Sequence, residues 1–196
     1  MCNRWLYTHA MISWPAQQPT LTEDEITLRP TRPEDAEAMY AYIANDRDIN
    51  EFTRVPSPYE KSHSVAAIDQ WNADFLEELV LQYAITIDDG PIIGHVSLHS
   101  INAFDHMAEI GYIVSADYRG RNIASRSIEL LCDYAFAIGF RKISAYVDPR
   151  NIASAKAVMK AGFVQEARLR RHFTLRDGSQ ADALMFSRWD ESENGG

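Results

Sequence analysis

Between Ala108 and Ala124 the chain reads AEIGYIVSADYRGRNIA, an alternating apolar run that stops at Ser115 and passes through an arginine-rich, glycine-containing turn into a helical pattern. In AEIGYIV, Glu109, Gly111 and Ile113 fall on one face of a strand, and Ile110, Tyr112 and Val114 on the other. The RNIASRSIELLCDYAFAIGF that follows repeats apolar residues at Ile123, Leu130, Leu131, Tyr134, Ala135 and Ile138, which is helical spacing, and Gly139 stands where a C-terminal cap belongs. A strand that feeds a helix N-terminus through such a turn presents free backbone N–H groups, the makings of an anion cradle. Phosphate is therefore the first ligand class to consider.

The chain contains neither GxGxxG nor GxxxxGK[ST], so the dinucleotide fingerprint and the nucleotide-triphosphate loop are both excluded. In their place stands Tyr118-Arg119-Gly120-Arg121-Asn122-Ile123-Ala124. This resembles the (Q/R)xxGx(G/A) pyrophosphate loop of the GNAT acetyltransferases. The resemblance continues through Asn151-Ile152-Ala153-Ser154 and Lys160-Ala161-Gly162-Phe163, spans Ile26 to Trp189, and is nearest to the ribosomal-protein N-acetyltransferase (RimJ/RimL-like) branch. The family usually has glycine where this chain has Asn122, and asparagine is the next most tolerant residue of positive φ.

The resemblance implies an α/β GNAT fold with a mixed, mostly antiparallel sheet of about seven strands and about four helices. It also implies acetyl-CoA as co-substrate, held by the backbone of Ile113 and Val114, by Arg119, Gly120, Arg121, Asn122, Ile123 and Ala124, and by Asn151. Ser154 is then placed near the sulfur as the acid for the departing thiolate, and Glu109, the carboxylate inside the central strand, as the base. The chemistry sets matching demands. An ammonium must lose a proton, the carbonyl oxygen must be polarised, and the thiolate must be stabilised as it leaves. A backbone N–H of Val114 would serve the oxygen if the strand bulges near Ser115. Each assignment has a plainer alternative: Asn151 as a helix cap, Ser154 as a neutral small residue, Glu109 as an exposed strand carboxylate.

Length and composition agree with one domain: 196 residues, 46% hydrophobic, suffice for one well-packed core and are short for two. Residues 22–190 are assigned to it, residues 1–21 to an N-terminal extension holding Trp5 and Trp14, and 191–196 to a disordered acidic tail. Cys2 and Cys132 make no disulfide framework, and no apolar run reaches the roughly 20 residues of a membrane span. A cytoplasmic protein without a membrane partner, monomeric or homodimeric, is the expectation. The net charge of −9 is uneven: residues 117–176 hold 12 Lys and Arg against 5 Asp and Glu, while the remainder is strongly acidic. The basic half coincides with the anion loop and lacks the interleaved aromatics of a single-strand platform, which favours a small polyphosphate over nucleic acid.

Around these segments the pattern predicts a strand at Ile26-Thr27-Leu28-Arg29 and a helix behind a Thr31/Glu34 capping box. A linker from Asp46 to Val55 follows, then a helix opened by Ser57-Pro58-Tyr59-Glu60, and a hairpin of Val80 to Ile87 and Ile92 to Ser100 about Asp88-Asp89-Gly90. Further strands are expected at Lys142 to Val147, Phe163 to Leu175 and Ala181 to Trp189, with a helix from Asn151 to Ala161. In the resembling family the two-helix region lines the acceptor pocket, which makes Phe52, Tyr59 and Trp71 candidates for substrate contact. Core packing is their alternative. No metal is expected, because His95 and His99 lie about 13 Å apart on a strand. The acceptor implied is a protein or peptide N-terminal α-amine. A small-molecule amine (a polyamine, aminoglycoside or amino acid) and a non-catalytic CoA-binding module are the alternatives.

Overall fold

Residues 12–191 are described by a computed structural model. The leading segment through residue 11, with Cys2 and Trp5, and the acidic end from residue 192 lie outside the described residues. Eight strands form one sheet: β1 (Leu21–Glu23), β2 (Ile26–Pro30), β3 (Leu81–Ile87), β4 (Gly94–Asn102), β5 (Met107–Val114), β6 (Lys142–Val147), β7 (Val164–Thr174) and β8 (Gln180–Trp189). Their order is β1-β2-β3-β4-β5-β6-β8-β7, antiparallel throughout except for the parallel β5–β6 pair. The helices are α1 (Asp35–Ile43), α2 (Arg47–Phe52), α3 (Lys61–Leu76), α4 (Ile123–Ala137) and α5 (Ile152–Lys160).

Strand alternation divides the side chains between two cores. On one face Leu28, Tyr83, Ile85, Val96, Leu98, Ile110 and Ile143 meet Ile128, Leu131 and Ala135 of α4 and Val158 of α5. On the other, Ile113 packs with Met39, Ile43, Ile49 and Ile68 from α1, α2 and α3. Each fully buried Leu or Ile contributes about 1.5–3 kcal/mol relative to exposure. The result is a mixed α/β sheet with α4 and α5 on one side and α1 to α3 on the other.

Several local expectations change. The Asp46 to Val55 linker contains α2, because Asp46 caps it by accepting from the Ile49 N–H at 2.9 Å. Thr31 and Glu34 form no capping box. Asp35 instead accepts from the Arg32 N–H at 2.9 Å and pairs with Arg29 at 2.7 Å. The α3 box is built by Glu60 and His63, so that helix begins three residues after Pro58. Residues of the expected extension are docked: Ser13 N–H bonds Ile138 O at 2.7 Å, and Trp14 Nε1 donates to Phe75 O at 3.1 Å. In β7, expected as one unbroken strand, the register shifts between Leu169 and Phe173, with Arg171 at φ 52.

Candidate active site

The parallel pairing of β5 with β6 covers only Met107–Glu109 against Lys142–Ser144. Beyond that point β5 runs on to Val114 and β6 to Val147 with no ladder between them, so the strands splay and open a cleft of about 710 Å³. Ser115 N–H bonds Ile93 O at 2.8 Å on the β4 side, and N–H directions alternate along a strand. Val114 and Tyr112 therefore aim their N–H groups at the unpaired edge. The bulge expected near Ser115 is absent: β5 keeps register with β4 to Val114, and the irregularity lies at the far end, between His99 and Asn102. The donors are freed by splay instead. By the same alternation the Ile113 backbone faces β4, so of the expected pair only Val114 offers its N–H to the cleft.

At the mouth, residues 116–118 form a short turn, and the chain then takes left-handed backbone at Gly120 (φ 75) and Asn122 (φ 62, ψ 10). The asparagine thus adopts the conformation that a glycine would take in the family loop. It stands at the N-cap of α4 with no side-chain cap bond, which leaves the first-turn N–H groups at Ile123, Ala124 and Ser125 for an anion. Lys156 and Lys160, one turn apart on α5, line the same cleft. Arg121 lies 5.4 Å over the Tyr118 ring. Arg119 departs from expectation. Its guanidinium bonds Asp46 at 2.6 Å, Asp48 at 3.0 Å and Val114 O at 3.1 Å, so the side chain ties the loop to α2 and only its backbone remains for a ligand.

Asn151 reconciles its two readings. Its Oδ1 caps α5 by accepting from the Ser154 N–H at 3.0 Å, while the residue lines the cleft and keeps its Nδ2 as a donor. Ser154 Oγ lies 2.7 Å from the Tyr112 hydroxyl, which also donates to Ser154 O at 3.1 Å. Burial pushes the Tyr112 phenol up to about 12, so it stays protonated at neutral pH. Tyr112 was not singled out from sequence, although its place on the strand face opposite Glu109 was legible.

Toward α2 and α3, Phe52 and Trp71 line the cleft and Tyr59 does not. Tyr59 is 8% exposed within the helical core and accepts from Ser64 Oγ at 3.2 Å, which makes core packing its role. His95 and Ser97, unassigned from sequence, share this wall with Gln82. His95 Nδ1 is 2.9 Å from the Tyr42 hydroxyl, its ring lies 5.2 Å from that of Trp71, and burial lowers its pKa to about 4, so the imidazole is neutral. Glu109 falls just outside the lining residues. It is the last paired residue before the splay, directly across from His99 on β4 and Ser144 on β6. Gly111 keeps this floor open, since a Cβ there would come within 3.1 Å of His99 Nε2 and 3.5 Å of Ser97 Oγ.

The family description "Acetyltransferase (GNAT) domain" matches residues 25–164, most of the chain and every element of the cleft. The chain is a GNAT acetyltransferase. The eight strands and five helices among the described residues are the GNAT fold, close to the about seven strands and about four helices expected. Among curated relatives, the spermidine N(1)-acetyltransferase of Escherichia coli K12 is 27% identical over 160 residues, covering 81% of this chain and 83% of that protein. Among solved structures, the microcin C7 self immunity acetyltransferase MccE, in complex with acetyl-CoA and AMP, superposes with a TM-score of 0.79 at 26% identity, covering 86% of this chain and 94% of the other. Mycobacterium smegmatis RimJ in complex with CoA-disulfide gives a TM-score of 0.80 at 24% identity, over 92% and 90% of the two chains, a likeness of fold. As a GNAT acetyltransferase the protein is an acetyl-CoA-dependent N-acetyltransferase.

Proposed function

We propose that the acceptor is an N-terminal α-amine of a protein or peptide. The observation that carries this reading is the charge of the acceptor wall. Phe52, Trp71, Gln82, His95 and Ser97 bring no charge, and the one carboxylate among the lining residues, Asp48, is already paired with Arg119, which leaves Glu109 just behind the lining to meet a single ammonium. A polyamine brings several ammonium groups, and each needs an unpaired carboxylate once it leaves water. The spermidine-acetylating relative carries the alternative, and the uncharged wall supports an acceptor with one charge, which is removed before reaction.

Bound acetyl-CoA supplies the acetyl group as a thioester. The first-turn N–H groups of α4, with Lys156 and Lys160, hold its phosphates, and the Asn151 amide its pantetheine arm. The N–H group of Val114 stabilises the negative charge that develops on the carbonyl oxygen. Glu109 takes the ammonium proton through water, the route its place outside the lining leaves it. As the amine nitrogen bonds to the acyl carbon and the carbon–sulfur bond breaks, Ser154 gives its hydroxyl proton to the thiolate and regains one from Tyr112, and the second proton of the nitrogen passes through water to restore the Tyr112 phenol.

A thiol-release screen over peptides with free α-amines, spermidine and an aminoglycoside, run beside calorimetry with acetyl-CoA, tests this. Thiol release that depends on the peptide is expected. Faster turnover of spermidine than of any peptide would move the acceptor class. Tight acetyl-CoA binding with no acceptor-dependent thiol would instead mark a binding module.

A further inference from the structure

Gln82 is 3% exposed, lines the acceptor wall, and its Nε2 is buried without a hydrogen-bond partner among the described residues. An amide donor left bare in a protein interior costs about 1–3 kcal/mol, and of the three side chains with such bare groups among the described residues, Gln82, Tyr83 and Ser127, only Gln82 lines the cleft. Two uncharged polar neighbours share the wall with it. Ser97 lies directly opposite Gln82 on β4, with side chains about 5 Å apart at such positions, and its Oγ faces the space that Gly111 leaves empty. His95, two residues along the same strand face, has Nδ1 occupied by Tyr42 and Nε2 left for a ligand. None of the three carries charge, and Trp71 and Phe52 close the wall above them.

We propose that Gln82, Ser97 and His95 form an acceptor-reading subsite that receives an uncharged oxygen close to the reacting amine. The oxygen is either the carbonyl of the amine-bearing residue or a hydroxyl on its side chain. This deepens the α-amine reading and rests on it for the physiological acceptor, but the chemistry applies to any amine that enters. Gln82 Nε2 donates to the oxygen, Ser97 and His95 complete its shell, and an acceptor lacking it leaves the Gln82 donor unsatisfied. Selection by such a site works mainly by rejecting the bare analogue.

The test compares matched amines by kcat/KM in the wild type and in Gln82→Met, a substitution of similar volume without the amide. Ethanolamine against propylamine probes the hydroxyl without any peptide. A serine-first against an alanine-first peptide probes it in a peptide, and an alanine-first peptide against isopropylamine probes the carbonyl. The wild type is expected to favour the oxygen-bearing member of at least one pair by about tenfold. Gln82→Met should bring that ratio toward one while the KM for acetyl-CoA and the melting temperature hold. Ser97→Ala, a smaller change, should cut the same ratio and serves if Gln82→Met does not fold. Equal rates within every pair, or a preference that survives both variants, overturns the subsite. Failure of all peptides with a retained ethanolamine preference overturns the α-amine reading and leaves the subsite standing.

Discussion

Protonating His95 should destabilise the folded protein, and the amount follows from its surroundings. The imidazole is 8% exposed, touches the Tyr42 hydroxyl and the Trp71 ring, and has its pKa lowered by burial alone from 6.5 to about 4. Because the folded value is the lower one, the unfolded chain binds a proton between pH 6.5 and 4 that the native state refuses. Stability from this residue is therefore full above pH 6.5 and is lost as pH falls through the window toward 4. At about 1.4 kcal/mol per pH unit the limit is about 3 kcal/mol, most of which is gone at pH 4.5. Urea unfolding at pH 7.5 and 4.5 on the wild type and on His95→Gln measures it. Carboxylates paired in the native state, Asp148 with Arg150 and Glu166 with Lys142, add their own acid loss to both proteins, so the difference between them isolates His95. The variant should lose about 2–3 kcal/mol less than the wild type on acidification. Equal losses would show that the imidazole is already hydrated in the native state and would refute the argument.

Ser154→Ala and Tyr112→Phe should each lower kcat by about 100-fold with poor acceptors, and the double variant should fall little further, because the two hydroxyls act as one relay; additive losses in steady-state rates would separate them. Asn122→Gly should leave stability level or slightly higher, whereas Asn122→Ala, forced to φ near 62, should cost about 1 kcal/mol and weaken acetyl-CoA binding in calorimetry. Asp46→Ala removes both the α2 cap and the partner of Arg119, so thermal unfolding should report a loss of about 2 kcal/mol and acceptor KM should rise. Glu109→Gln should reduce turnover by about 100-fold while the acetyl-CoA dissociation constant changes less than twofold; equal activity across pH would remove it from the mechanism.

What the chain alone determined is what local periodicity and turn chemistry encode. The alternation of β5, the helical spacing from Ile123 to Ala137 and the capping asparagine at 151 set the strand-loop-helix unit and its anion-facing N–H groups. The limits of β6 are those read from the pattern. Six-residue α2 escaped because a helix that short has little periodicity, and β1 because three residues cannot show alternation. What only the tertiary structure decided is how far β5 and β6 stay paired, since no residue in either strand announces where a neighbour from elsewhere in the chain will part from it. That separation puts Val114 and Tyr112 at an open edge and leaves Glu109 at the apex. The partners of Arg119, Tyr112, His95 and Gln82 come from residues remote in sequence. Their roles follow from who else is packed or missing around them, and a buried donor without a partner cannot be seen until the interior exists.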